Sequence, residues 1–94
     1  MAQPITVSHD TAAQKFYLVL DGHEAHLLYR QSGKIIDFHH TFVPEALRGR
    51  GLAELLCKAA FEHAKANQFT VIPSCSYISG AYLKRHPEYL PLTQ

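Results

Sequence analysis

Val43-Pro44-Glu45-Ala46-Leu47-Arg48-Gly49-Arg50-Gly51-Leu52-Ala53 joins an apolar, β-prone run to a long helical one through a glycine-punctuated turn. Gly49 and Gly51 let the backbone approach a ligand without Cβ atoms in the way. The first N–H groups of a helix that starts near Gly51 have no intrahelical acceptor and point at the same spot. Such a turn is built to hold an anion, and a phosphate is the natural one. Two phosphate loops are excluded by spacing. A Walker loop ends in Gly-Lys-Ser/Thr, which occurs nowhere in the chain. The dinucleotide fingerprint needs Gly-x-Gly-x-x-Gly after an early strand, but Glu54 occupies the third glycine's place and the turn lies mid-chain.

Outward from the turn, the first half of the chain reads as an antiparallel meander. Ile5 to His9 is a short candidate strand, and Lys15 to Asp21 alternates Phe16, Leu18 and Leu20 against Tyr17 and Val19. Asp21-Gly22 closes a turn, Glu24 to Gln31 follows, and after Ser32-Gly33 a fourth strand runs from Lys34 to Val43. Pro44 cannot donate to a ladder and marks its end. Beyond the turn, Leu52, Leu55, Leu56, Ala59, Ala60 and Ala64 recur at helical spacing from Gly51 to Asn67. Glu54, Lys58, Glu62 and Lys65 take the opposite face, with Glu54 and Lys58 ordered for an i,i+4 pair. Phe69 to Ile72 is a fifth strand, parallel to the fourth if the helix is a right-handed crossover. Ser79 to Arg85 is a short helix that stops before Pro87. The pattern predicts an α+β or α/β mixed sheet: an antiparallel meander, then a parallel strand-helix-strand unit and a short C-terminal helix.

At 94 residues, 47% hydrophobic and 18% charged, the chain can build one core, so a single domain over 1–94 is expected. No apolar run reaches the 18 or so residues that span a bilayer, and Met1-Ala2-Gln3-Pro4 lacks the character of a signal peptide. Cys57 and Cys75 lack metal-like spacing and fit a reducing compartment, so a cytoplasmic protein is expected. The net charge is +1. Arg48, Arg50, Lys58, Lys84 and Arg85 lack interleaved aromatic residues, which speaks against a nucleic-acid partner. His9, His23, His26, His63 and His86 are scattered without ligand spacing, and no metal is expected.

Arg48-x-x-Gly51-x-Ala53 resembles the pyrophosphate loop of the GNAT superfamily of acetyltransferases, written Gln/Arg-x-x-Gly-x-Gly/Ala. The order of elements from Asp37 to Leu92 is similar to a GNAT core. His40-Thr41-Phe42-Val43-Pro44 and Pro73-Ser74-Cys75-Ser76-Tyr77 resemble the phrases of the short, stand-alone GNAT-like domains within it. The resemblance implies an N-acetyltransferase that moves the acetyl group of acetyl-CoA to an amine, or else a CoA or acyl-CoA binding module without turnover. It implies that strands four and five part at their C-terminal ends, with the pantetheine arm in the opening and the pyrophosphate on the loop. Coenzyme contacts are then expected from Phe42 and Val43 through their backbone, and from Arg48, Gly49, Arg50, Gly51, Leu52 and Ala53 through the turn's N–H groups. Arg48 and Arg50 would add phosphate charge.

The reacting end needs a proton acceptor for the amine and a proton donor for the leaving sulfur. His39 and His40 are adjacent on a strand, so they face opposite sides. The family phrase lands on His40, expected to share a face with Phe38 and Phe42 and to act as base, unless it is a packing residue between them. Cys75 is a liner of the thioester slot, a nucleophile if a basic neighbour such as His40 ionises it, or a packing residue. Many GNAT enzymes carry Asn at the end of the fifth strand and Tyr seven residues later as the acid. Here those positions hold Cys75 and Tyr82, with Tyr77 the alternative acid. Only Asp10 to Gln14 separates the first two strands, where larger members carry helices that wall the acceptor site. The acceptor side is therefore expected to be open, suited to an exposed amine on a protein or peptide or to a small amine.

Overall fold

A computed structural model describes residues 5–94. Five strands form one sheet in the order β1-β2-β3-β4-β5: β1 (Ser8–Asp10), β2 (Lys15–Leu20), β3 (His23–Ser32), β4 (Ile35–Phe42) and β5 (Thr70–Ile72). Neighbours pair antiparallel except β4 and β5, which are parallel and joined by the long helix α1 (Leu52–Ala66). Asp21 and Gly22 both take positive φ, 52° and 78°, as a two-residue hairpin turn requires, so β3 folds straight back onto β2. The first strand begins three residues later than expected and runs on to Asp10.

Alternation along the strands sends Phe16 and Leu18, then Ala25, Leu27 and Tyr29, then Ile36 and Phe38, and finally Val71 to one face of the sheet, where all are buried. Helix α1 lies on that face and buries Leu52, Leu56, Cys57, Ala60, Phe61 and Ala64. Leu55 and Ala59, expected in the core, are only half-buried, and Cys57 and Phe61 take their places. After β5 the chain makes a π-helical turn (Ile78–Tyr82), a short helix α2 (Leu83–Arg85) and a 3-10 stretch (Pro87–Leu92). This C-terminal part is fastened by aromatic rings: Phe61 meets Phe38 edge-on at 5.1 Å and stacks with Tyr82 at 5.6 Å and Tyr89 at 5.0 Å. The opposite, outer face of the sheet carries Lys15, Tyr17, Val19, Glu24, His26 and Leu28, each half-buried or exposed.

The edge strand β1 is pinned to α1 by a pair of imidazoles. His9 stacks on Phe16 at 4.0 Å, meets His63 edge-on at 4.7 Å and has Nε2 2.6 Å from the Tyr29 hydroxyl. Burial, and then repulsion from His63, lower the His9 pKa against a weaker upward pull from Asp10; burial also lowers that of His63. Both groups bind protons less well folded than unfolded, so their contribution to stability is complete above pH 6.5 and is lost as the pH falls below it. Thermal melts from about pH 7.5 down to about 5.5 are expected to show a fall of a few degrees that His9→Gln/His63→Gln largely removes. Equal pH dependence in wild type and double variant would contradict it.

Candidate active site

The loop before α1 is built by local chemistry. Pro44 starts a 3-10 turn over Glu45–Leu47, with the Leu47 N–H donating to the Pro44 carbonyl at 2.8 Å. The fully buried Leu47 side chain anchors the turn. Arg48 is extended, and Gly49 and Gly51 take φ of 82° and 73°, a left-handed conformation that glycine adopts without strain. The first helical bond runs from the Leu55 N–H to the Gly51 carbonyl, and no side chain caps the helix. The amides of Leu52, Ala53 and Glu54 therefore present the positive end of the helix without an intrahelical acceptor.

These amides face a cavity of about 440 Å³, within the range of ligand sites. Among the expected coenzyme contacts, Phe42, Val43, Arg48, Gly49, Gly51, Leu52 and Ala53 line it. Arg50 does not: its Nη1 pairs with Asp21 Oδ2 at 3.1 Å, tying the loop to the β2–β3 turn. Arg48 lines the cavity, but its Nε is spent on the Val43 carbonyl at 3.1 Å, closing the loop on itself.

On the sheet side, β4 and β5 pair only from Ile35↔Thr70 to Asp37↔Ile72. Beyond Ile72 the last backbone bond to β4 runs from the Cys75 N–H to the Phe38 carbonyl at 3.0 Å. From there β4 runs on to Phe42 while the other chain segment turns away into the π-helical turn, leaving a fork that opens toward the cavity.

The register of β4 corrects the expected face of His40. Tyr29 pairs with Phe38 and Leu28 with His40, so His39 is an extra, bulged residue. The bulge inverts the alternation: Phe38 points into the core, whereas His40 and Phe42 are exposed on the outer face. Thr41 then points inward, with its Oγ1 3.4 Å from Cys75 Sγ. The bulge thus separates His40 from Cys75, whose side chain has a hydroxyl and no basic group as its hydrogen-bond partner among the described residues. Cys57 is fully buried, and burial pushes its thiol far up.

Tyr82 is 1% exposed, inside the aromatic stack, with its hydroxyl pushed far up by burial. It borders a separate cavity of about 280 Å³ with Leu55, Lys58, His86 and Tyr89. The seven-residue spacing from Cys75 to Tyr82 runs through the π-helical turn. The π-helical turn adds a residue, rotating the later positions of the segment by about 100°. Tyr77 is the tyrosine at the main cavity. Its hydroxyl lies 3.4 Å from Glu54 Oε2 and 3.0 Å from Arg85 Nη2, and burial followed by the Glu54 charge raises its pKa.

Glu54 is the hub of this corner, facing both cavities. Burial pushes its carboxyl up, but Arg85 Nε at 3.3 Å and His86 Nε2 at 3.2 Å outweigh that and hold it below its ordinary value. The expected pairing with Lys58 is thereby replaced. Sequence reasoning misses Glu54 and the inward Thr41 as site residues; Thr41 stands inside the quoted phrase, whereas nothing near Glu54 in the sequence signals its partners.

Residues 15–92 match the sequence profile of the GCN5-related N-acetyl-transferases. The chain belongs to that family. Among curated proteins it is similar to Protein NATD1 of Mus musculus and of Homo sapiens, each 42% identical over 96 residues. The matches cover 97% of this chain and 86% and 84% of those relatives. The solution structure of a GCN5-like putative N-acetyltransferase from Staphylococcus aureus superposes with a TM-score of 0.72 at 29% identity, covering 95% of this chain and 87% of that one. The mixed five-stranded sheet with its parallel β4–β5 pair is thus the GCN5-related fold, and N-acetyl transfer is the activity class. The described residues contain no helix long and apolar enough to cross a membrane and no group of three or more side chains suited to a metal ion.

Proposed function

We propose that the protein transfers the acetyl group of acetyl-CoA to a primary amine, on a small molecule or exposed on a protein or peptide. The observation that carries this reading is the uncapped start of α1 behind Gly51, opening into a cavity continuous with the fork between β4 and β5. The free amides of the first helical turn suit the coenzyme's pyrophosphate. Phe42, whose β5-facing edge is free, and Val43 just beyond β4 would take the pantetheine arm through their backbone. Arg50 would help only by leaving Asp21.

The acceptor would come over the outer face of the sheet. The link between β1 and β2 is a short turn, and no helix lies there to wall the approach. The amine nitrogen attacks the thioester carbonyl carbon, the carbon–sulfur bond breaks, and the electron pair leaves with the CoA sulfur. An imidazole on that face, where His40 and Phe42 stand, takes the amine proton, and Tyr77 is the donor best placed for the thiolate. Cys75, hydrogen-bonded to Thr41 and set back from the residues that line the cavity, takes no covalent part in this scheme, and transfer is direct.

Calorimetric titration with acetyl-CoA and with CoA, then measurement of CoA thiol release in the presence of amines, tests the proposal. Binding and amine-dependent release are expected; binding alone would leave a coenzyme-binding module, and no binding would remove both readings. Tyr77→Phe is expected to lower kcat by about 10²-fold with coenzyme affinity unchanged, whereas Tyr82→Phe leaves turnover close to wild type. The reverse order would return the acid role to Tyr82.

A further inference from the structure

The outer face beside the fork carries an ordered chain of polar groups. Lys15 on β2 donates to both carboxylate oxygens of Glu24 on β3, at 3.2 and 3.1 Å. Glu24 Oε2 lies 3.1 Å from His26 Nδ1. Glu24 and His26 are two residues apart on one strand, so both side chains stand on the same face. The Lys15 hydrogen bond holds the Glu24 carboxyl below its usual range, with His26 adding to the effect against a contribution from burial. An ionised carboxylate only accepts, so Nδ1 of His26 must carry a proton. In the neutral ring that leaves the lone pair on Nε2, which makes no hydrogen bond among the described residues.

The His26 ring itself does not line the cavity but stands beside Phe42, which does. His26 is the direct cross-strand partner of Phe42, and the two rings lie 5.5 Å apart. Phe42 lines the cavity, so His26 is one strand spacing, about 5 Å, from the part of β4 that has no partner on its β5 side. The bulge at His39 is what creates this neighbourhood. By turning His40 and Phe42 outward it sets His40 at 5.9 Å from His26, and a third ring, Tyr17, is paired with His26 from the other side. His40 is exposed and its ring has no hydrogen bond among the described residues, so nothing fixes its tautomer. The His26 side chain is 24% exposed and is held from one end.

We infer that His26, oriented by Glu24, is the group that accepts the proton of the acceptor amine, and that His40 flanks the amine's path. The inference rests on the acetyl-transfer reading above. As the amine nitrogen bonds to the thioester carbon, its N–H proton passes to His26 Nε2. The carbon–sulfur bond breaks toward CoA, the thiolate takes its proton from Tyr77 or water, and the proton held by His26 passes through solvent to restore that donor. Glu24 is a positioning residue: it fixes which nitrogen is free and adds nothing to the bonds that change. Acceptors suited to this face are primary amines on a flexible stem, since the rings of Tyr17, His26 and Phe42 offer an apolar track for methylenes.

Two readouts test the assignment. Long-range proton–nitrogen spectra of the labelled protein saturated with CoA are expected to show His26 in the Nδ1–H form, mixed in Glu24→Gln. Thiol release from acetyl-CoA with Nα-acetyl-lysine methylamide and with 1,4-diaminobutane is expected to fall about 10²-fold in His26→Gln, by less in Glu24→Gln and in His40→Gln, with acetyl-CoA affinity unchanged throughout. An Nε2–H form of His26, or His26→Gln turning over within about threefold of wild type while His40→Gln carries the loss, would overturn the assignment and leave acetyl transfer standing. Wild-type protein that binds acetyl-CoA but releases no thiol with either amine would remove acetyl transfer and the assignment together. Backbone spectra confirm that each variant is folded.

Discussion

Gly51→Asp is expected to weaken acetyl-CoA and CoA binding by about 100-fold or more while leaving the protein folded. An added Cβ meets nothing within 4 Å, so the substitution has room. Its backbone cost comes from the left-handed φ of 73°, and aspartate is among the residues that tolerate that conformation best. The effect on binding is therefore one of charge. At the start of α1 a carboxylate lies beside the amides that face the cavity, where it competes for their N–H groups and repels a pyrophosphate. Two unit charges about 4 Å apart near a protein surface repel by roughly 4 kcal/mol before salt screening, enough for two to three orders of magnitude in affinity. Gly51→Asn has almost the same shape and backbone preference without the charge, and is expected to stay within about tenfold of wild type. Equal calorimetric affinities for the two variants would remove the pyrophosphate from this loop.

The contrast between aspartate and asparagine can be planned from the sequence because the loop is coded locally. Positive φ at Gly49 and Gly51 and a helix with no side-chain cap are all written in adjacent residues. The Asp21-Gly22 turn and the α1 periodicity are legible for the same reason, and with them the order and direction of the strands. Features set by distant contacts are hidden. The bulge at His39 leaves no mark on Phe38-His39-His40-Thr41, because a bulge inserts a residue without changing composition; strict alternation therefore puts His40 on the wrong face and Thr41 with it. Arg50 reads as free for phosphate because its partner Asp21 lies 29 residues away. Glu54 reads as the helical partner of Lys58, but Tyr77, Arg85 and His86 reach it from the C-terminal segment. Tyr82 is placed in the aromatic stack beside a separate cavity by a π-helical turn that periodicity does not announce.

Phe61→Ala is expected to have the largest effect on stability, lowering the melting temperature by on the order of 20 °C, because one ring joins the two halves of the molecule. Phe61 is fully buried and packs against Phe38 of the sheet on one side and Tyr82 and Tyr89 of the C-terminal segment on the other. Truncating a buried phenylalanine costs about 3–5 kcal/mol, and a domain of this size has only about 5–15 kcal/mol to lose. Phe42 is the control within the same residue type. It is 41% exposed on the outer face, so Phe42→Ala leaves no core cavity and is expected to shift the melt by only a few degrees. The two variants also separate stability from site geometry. The segment Phe61 anchors carries Tyr77 and Arg85, so its loss should loosen the Tyr77 side of the main cavity and, on the proposed function, weaken acetyl-CoA binding even at temperatures where the sheet survives. Phe61→Leu refills most of the volume and should recover much of both. A Phe61→Ala protein that melts with wild type would mean that the C-terminal segment is held by something other than this aromatic stack.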